Sequence, residues 1–79
     1  MDLKRGLIVL NKAGRDKGRF FVVMEAYDKE ALICDGKYRK LDSPKKKNIK
    51  HLAATKTVLL ENEIETNKKL RKALRAFNS

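Results

Sequence analysis

The apolar residues of this chain come in short runs separated by polar, glycine-bearing stretches, and that spacing constrains the fold more than any other feature. Leu7-Ile8-Val9-Leu10 follows Gly6. Phe20 to Met24, rich in aromatic and β-branched residues, continues to Ala26-Tyr27 and meets the polar turn Asp28-Lys29-Glu30. Ala31-Leu32-Ile33-Cys34 is the third run. Asp35-Gly36 follows directly and precedes Lys37-Tyr38-Arg39-Lys40-Leu41. Asp-Gly between two strand-like segments predicts a hairpin, because a type I′ turn needs positive φ at both central residues. Ser43-Pro44 breaks the chain, Asn48 to Leu52 is a further candidate strand, and Thr57-Val58-Leu59-Leu60 is the last. Short strands at a spacing of about 8–12 residues indicate a small, mainly β domain, a barrel or a sandwich.

The tail has a different period. Leu70, Ala73, Leu74 and Phe77 fall at i, i+3, i+4 and i+7, with Lys68, Lys69, Arg71, Lys72 and Arg75 on the other faces. This spacing predicts one amphipathic helix over about residues 63–77. Thr66 is one candidate N-cap, and Asn62 with Glu65 three residues later offers an earlier start. Glu61, Glu63 and Glu65 precede the helix and the cations lie within it, an order that complements the helix dipole. The strands bear on where the helix goes. A strand with one wet face alternates apolar and polar residues, and Phe20-Phe21-Val22-Val23-Met24 does not. The helix, with its apolar stripe, is therefore expected to dock on the β domain, which spans about residues 5–60.

Charge narrows the function. The 79 residues hold 20 lysines and arginines against 10 aspartates and glutamates, a net charge of +10. The excess is concentrated: between residues 36 and 56, eight cations face Asp42 alone. Such a balance points to a partner dense in negative charge, nucleic acid ahead of a membrane surface. A chain this short forms one domain and buries only about 60% of its unfolded surface, which leaves no room for a deep catalytic cleft. With one cysteine, Cys34, and one histidine, His51, neither a disulfide nor a four-ligand structural zinc site can form within the chain. The four-residue apolar run near the N-terminus is shorter than a signal peptide core of about 7–15 residues, so a reducing, cytoplasmic setting is expected.

Enzymatic chemistry finds little support. Cys34 and His51 could be paired as nucleophile and base, but Cys34 lies in an apolar run and His51 among lysines. Gly14-Arg15-Asp16-Lys17-Gly18 is not a nucleotide-binding fingerprint, since it neither reads GxGxxG nor opens a helix. Its glycines allow close approach of a phosphate to the backbone, with Lys12, Arg15, Lys17 and Arg19 aimed at one region. An ordinary turn with solvated cations accounts for the same residues. Lys45-Lys46-Lys47 with Lys50-His51 is the most basic stretch, and lysine neutralises phosphate without reading a base. Tyr38, between Lys37 and Arg39, is placed either to stack on a base or to sit half-buried in the β domain.

Arg5-Gly6 through Gly18 to about Ile33-Cys34 resembles a KOW motif: a strand after a glycine, a basic glycine-bearing loop, then a second strand. Gly18 matches the motif's most characteristic position. With Asp35 to Lys40 and Pro44 to Leu52, the pattern is similar to the branch that contains large-subunit ribosomal protein fourteen of archaea and eukaryotes. It is closer still to that branch's short bacterial relatives, KOW-domain RNA-binding proteins. The resemblance implies an SH3-like barrel and ribosomal RNA as ligand. The expectation is a non-enzymatic protein, without cofactor or metal, that binds structured RNA of the large ribosomal subunit. It is expected to be monomeric when free, with no membrane partner, and to have ribosomal proteins as neighbours. Its basic surface would comprise Lys12, Gly14, Arg15, Lys17, Gly18 and Arg19 together with Lys37, Tyr38, Arg39, Lys40, Lys45, Lys46, Lys47, Lys50 and His51. The rival expectation is a module like those of NusG-type transcription elongation factors, contacting RNA polymerase or another protein.

Overall fold

The computed structural model describes residues 3–78. Five strands, β1 (Leu7–Asn11), β2 (Phe20–Ala26), β3 (Glu30–Cys34), β4 (Lys45–Asn48) and β5 (Leu52–Val58), form one antiparallel sheet in the order β4-β3-β2-β1-β5. A 3₁₀ turn, Ile49–His51, joins β4 to β5, and a second, Glu61–Ile64, leads into one helix, α1 (Asn67–Asn78). β4 and β5 stand at opposite edges without pairing to each other, so the sheet is open.

The continuous apolar runs are explained by burial on both faces. Leu7 and Val9 of β1, Phe21 and Val23 of β2, Ala31 and Ile33 of β3, and Leu52 of β5 form one cluster, with Leu3 and Ile49 packed against it. The intervening residues Ile8, Val22 and Cys34 form a second cluster with Leu59, Ile64, Leu70 and Leu74. The helix thus covers the second face, as its stripe predicts. Burying each of these large side chains contributes about 1.5–3 kcal/mol. Register shifts between Leu7 and Val9 and between Val23 and Glu25 interrupt the ladders, as β-bulges do when they bend a strand.

The helix is fastened at both ends. Thr66 Oγ1 accepts from the Lys69 amide at 3.1 Å, so Thr66 caps the first turn. Asn67 Oδ1 accepts from the Leu41 amide at 2.8 Å. At the other end, the Asn78 side chain accepts from the Phe20 amide at 2.8 Å and donates to the Phe20 carbonyl at 2.9 Å. The Phe20 and Phe77 rings meet beside that pair at 5.4 Å. The α-helix begins at Asn67 and not near residue 63: Glu61 to Ile64 form the 3₁₀ turn, where Glu63 accepts from the Leu60 amide at 2.9 Å.

Three strand expectations are corrected. Asp35-Gly36 does not make a type I′ hairpin, because only Gly36 has positive φ (79°). The carboxylate of Asp35 is buried and accepts from the amides of Lys37 (3.0 Å) and Arg39 (2.8 Å), which curls residues 36–40 into a loop instead of a strand. Asn48 to Leu52, the further candidate strand, is divided: Lys45–Asn48 form the edge strand β4, with Ile33 opposite Lys45 and Ala31 opposite Lys47, and Ile49–His51 are a 3₁₀ turn. Lysine on an edge strand blunts further pairing while its head stays in water. The last strand runs Leu52–Val58, and Leu59 and Leu60 lie beyond it because Leu59 turns into the helix-covered cluster.

Candidate nucleic-acid interface

The loop between β1 and β2 is built as a closed turn. Gly18 donates to the Asn11 carbonyl at 2.8 Å and Asn11 donates to the Arg19 carbonyl at 2.9 Å, while Lys17 donates to the Gly14 carbonyl at 3.2 Å. Gly14 (φ 86°) and Gly18 (φ 90°) supply the left-handed backbone. A Cβ on Gly18 would meet nothing within 4 Å, so φ alone explains glycine there. Lys12, Arg15 and Lys17 project from this turn, exposed.

Three contacts bring the other basic segments to this loop. Asp16 pairs with Arg39, Oδ2 to the guanidinium at 3.1 Å, joining the β1–β2 loop to residues 36–40. Lys47 Nζ donates to the Ala13 carbonyl at 2.9 Å, joining it to β4. Lys12 donates its amide to the His51 carbonyl at 2.8 Å, joining it to the 3₁₀ turn. The separate stretches 12–19, 37–40 and 45–51 therefore share one region of the molecule.

The contacts also divide the cations. Arg19 pairs with Asp35 at 3.1 Å and lies over the Tyr38 ring, 4.7 Å from its centroid. Arg39 pairs with Asp16, and Lys47 is held on a carbonyl. These three serve the fold first. Lys12, Arg15, Lys17, Lys40, Lys45, Lys46 and Lys50 are exposed and make no ion pair among the described residues. Lys37 places Nζ 5.2 Å from the Tyr38 centroid. Tyr38 is 58% exposed, and its ring packs against the Arg19 and Lys37 cations. His51 is partly buried at the 3₁₀ turn.

Cys34 belongs to the helix-covered cluster, and its thiol faces the Lys40 carbonyl at 3.5 Å. Burial pushes the thiol up to about 11, and Asp35 and Asp42 reinforce the shift. It stays protonated near neutrality, the opposite of what a nucleophilic cysteine needs.

Sequence reasoning missed four residues here. Asp16 and Asp35 tie the loops together, and Arg71 donates to the Gly36 carbonyl at 2.9 Å. Arg71 and Arg75 follow Leu70 and Leu74 directly, so the i, i+4 spacing of the apolar stripe already puts both on the same flank of the helix. Among the described residues, no three His, Cys, Asp or Glu side chains gather so as to hold a metal ion, and no helix is long and apolar enough to cross a membrane. Neither protein-family models nor curated proteins yield a match to this chain.

Proposed function

We propose that this protein is a non-enzymatic RNA-binding module that holds structured RNA, ribosomal RNA of the large subunit, on the surface shared by residues 12–19, 37–40 and 45–51. The fold proposed with it is an SH3-like barrel of the KOW type, the two bulged strands supplying the bend and α1 closing one face. The observation that carries this reading is the convergence of three basic segments, tied by Asp16–Arg39, Lys47–Ala13 and Lys12–His51, with seven exposed cations left without carboxylate partners among the described residues.

The cations are mostly lysines on loops and an edge strand. Lysine heads there meet phosphates as point charges, and they come from loops and an edge strand, not from a helix laid in a groove to read base edges. Recognition by backbone and shape follows. A cytoplasmic protein, monomeric when free and bordered by ribosomal proteins when bound, fits this reading.

Sedimentation of a native lysate tests it. In a low-salt sucrose gradient the protein should travel with large ribosomal subunits and be stripped from them at high salt. Co-purification with RNA polymerase, with none in any ribosomal fraction at low salt, would instead favour the transcription-elongation reading.

A further inference from the structure

Beside the basic surface, where α1 crosses the loop after β3, Arg19, Lys37, Arg71 and Arg75 line a depression of about 140 Å³ together with Asp35. Four cations here face one carboxylate. The acceptors of the site are already used. Asp35 Oδ1 takes the Lys37 and Arg39 amides, and Oδ2 takes Arg19. The Gly36 carbonyl takes Arg71, and the Asn78 side chain is spent in both directions on the Phe20 backbone. The donors are not used up. Arg75 and the Lys37 ammonium make no hydrogen bond among the described residues. Arg71 uses a single N–H, and Arg19 spends its terminal guanidinium donors on Asp35 alone. A site whose acceptors are spent and whose donors remain is complementary to a compact anion bearing several oxygens.

We infer that this depression binds a phosphate group, and that the group is a backbone phosphate of the RNA proposed above. The inference rests on that reading for the source of the phosphate. The link between the two is Lys37, which lines the depression while its ammonium also lies 5.2 Å from the centroid of the exposed Tyr38 ring. A strand lying on the basic loops passes over Tyr38 and places its next phosphate between Lys37 and the helix arginines. α1 thereby has two roles, covering the core with Leu70 and Leu74 and holding phosphate with the arginines next to them.

Two titrations on the full chain test this. In the first, pyrophosphate is added at constant ionic strength while the arginine Nε–Hε resonances are followed by NMR. Arg71 and Arg75 should shift together and saturate before Arg5 and Arg15 move. Shifts spread evenly over all arginines, or none, overturn the anion site. In the second, affinity for a structured fragment of large-subunit ribosomal RNA is compared between Arg71→Gln/Arg75→Gln and Lys68→Gln/Lys72→Gln, which remove equal charge from the same helix. The arginine variant should lose about tenfold, with a salt slope shallower by about 0.7–0.9, the amount expected for one phosphate contact. The lysine variant should lose less than about threefold, since exposed charges outside the site act only through screened attraction. Equal losses overturn the inference and leave the RNA-binding reading standing. Arg71 also supports the loop through Gly36, so Arg75→Gln against Lys72→Gln repeats the comparison without touching that bond. If the unaltered protein binds no RNA while pyrophosphate still moves Arg71 and Arg75, the RNA source is overturned and the site belongs to a free phosphate-bearing ligand.

Discussion

Asp35 is the residue on which the loop after β3, Arg19 and Tyr38 all depend, and replacing it by asparagine isolates one part of that dependence. The side chain is 1% exposed and accepts two amides on Oδ1 and the Arg19 guanidinium on Oδ2. Asparagine has the same shape. Its oxygen can keep both amide bonds, but its NH₂ group then meets the Arg19 donor head-on. The loss is one charge-assisted hydrogen bond, about 1.5–3 kcal/mol. Arg19 is 29% exposed and can recover some hydration, which favours the lower half of that range. For a domain of this size 1 kcal/mol moves Tm by about 4–8 °C, so Asp35→Asn should melt roughly 6–18 °C lower. Asp35→Ala strands both amides as well and should cost about 3–5 kcal/mol, close to the whole stability of a small domain. Thermal unfolding followed by circular dichroism measures both. If Asp35→Asn melts within 2 °C of the parent protein, the Arg19–Asp35 pair carries no stability and the reasoning about the loop fails. If Asp35→Ala is no worse than Asp35→Asn, the two amide bonds contribute nothing.

Three further outcomes follow from the same packing. Leu74 is 1% exposed in the helix-covered cluster, so Leu74→Ala should cost about 2–4 kcal/mol in urea unfolding, against less than about 0.5 kcal/mol for the exposed Leu60→Ala; equal effects would mean that the helix is not docked. Replacing Lys45 and Lys46 together by alanine should weaken binding to ribosomal RNA several-fold and leave the fold intact, since both are exposed on an edge strand and their ammonium groups make no hydrogen bond among the described residues; a larger loss from replacing Lys68 and Lys72 would move the binding surface to the helix. The Cys34 thiol is raised from 9.0 to about 11 in the fold. The unfolded chain therefore releases this proton first as pH rises, so the thiol's contribution to stability is complete below about pH 9 and lost between there and about pH 11. Cys34→Ala should flatten the decline of Tm over that interval, and an unchanged decline would contradict the assignment.

The first three strands and the helix were legible because each is announced by its own residues. Unbroken apolar runs mark strands buried on both faces, and Leu70, Leu74 and Phe77 mark one face of a helix. β4 was not legible. Three lysines have no local preference for a strand, and Lys45 to Asn48 are extended because β3 offers them a ladder. The loop after β3 misled for a related reason: Asp-Gly is a hairpin signal only where the aspartate remains outside, and here its carboxylate turns inward to bind two amides and Arg19. At the candidate interface, the cations were legible and their partners were not. Asp16 meets Arg39 across 23 residues and Arg19 meets Asp35 across 16, separations at which composition says that charges exist but not which of them are neutralised. The share taken by Arg71 and Arg75 was hidden by the same limit, since both read as the solvated flank of a helix until the loop carrying Gly36 is seen against it.

The central claim is that exposed cations on one surface hold RNA through its phosphates. It is tested most directly by measuring affinity for a structured fragment of large-subunit ribosomal RNA as salt is raised from about 50 to 300 mM. With about 4–6 phosphates neutralised and a slope of roughly −0.7 to −0.9 for each, log K should fall against log salt with a slope of about −3 to −5. A slope near zero, or no binding at the lowest salt, would contradict the account.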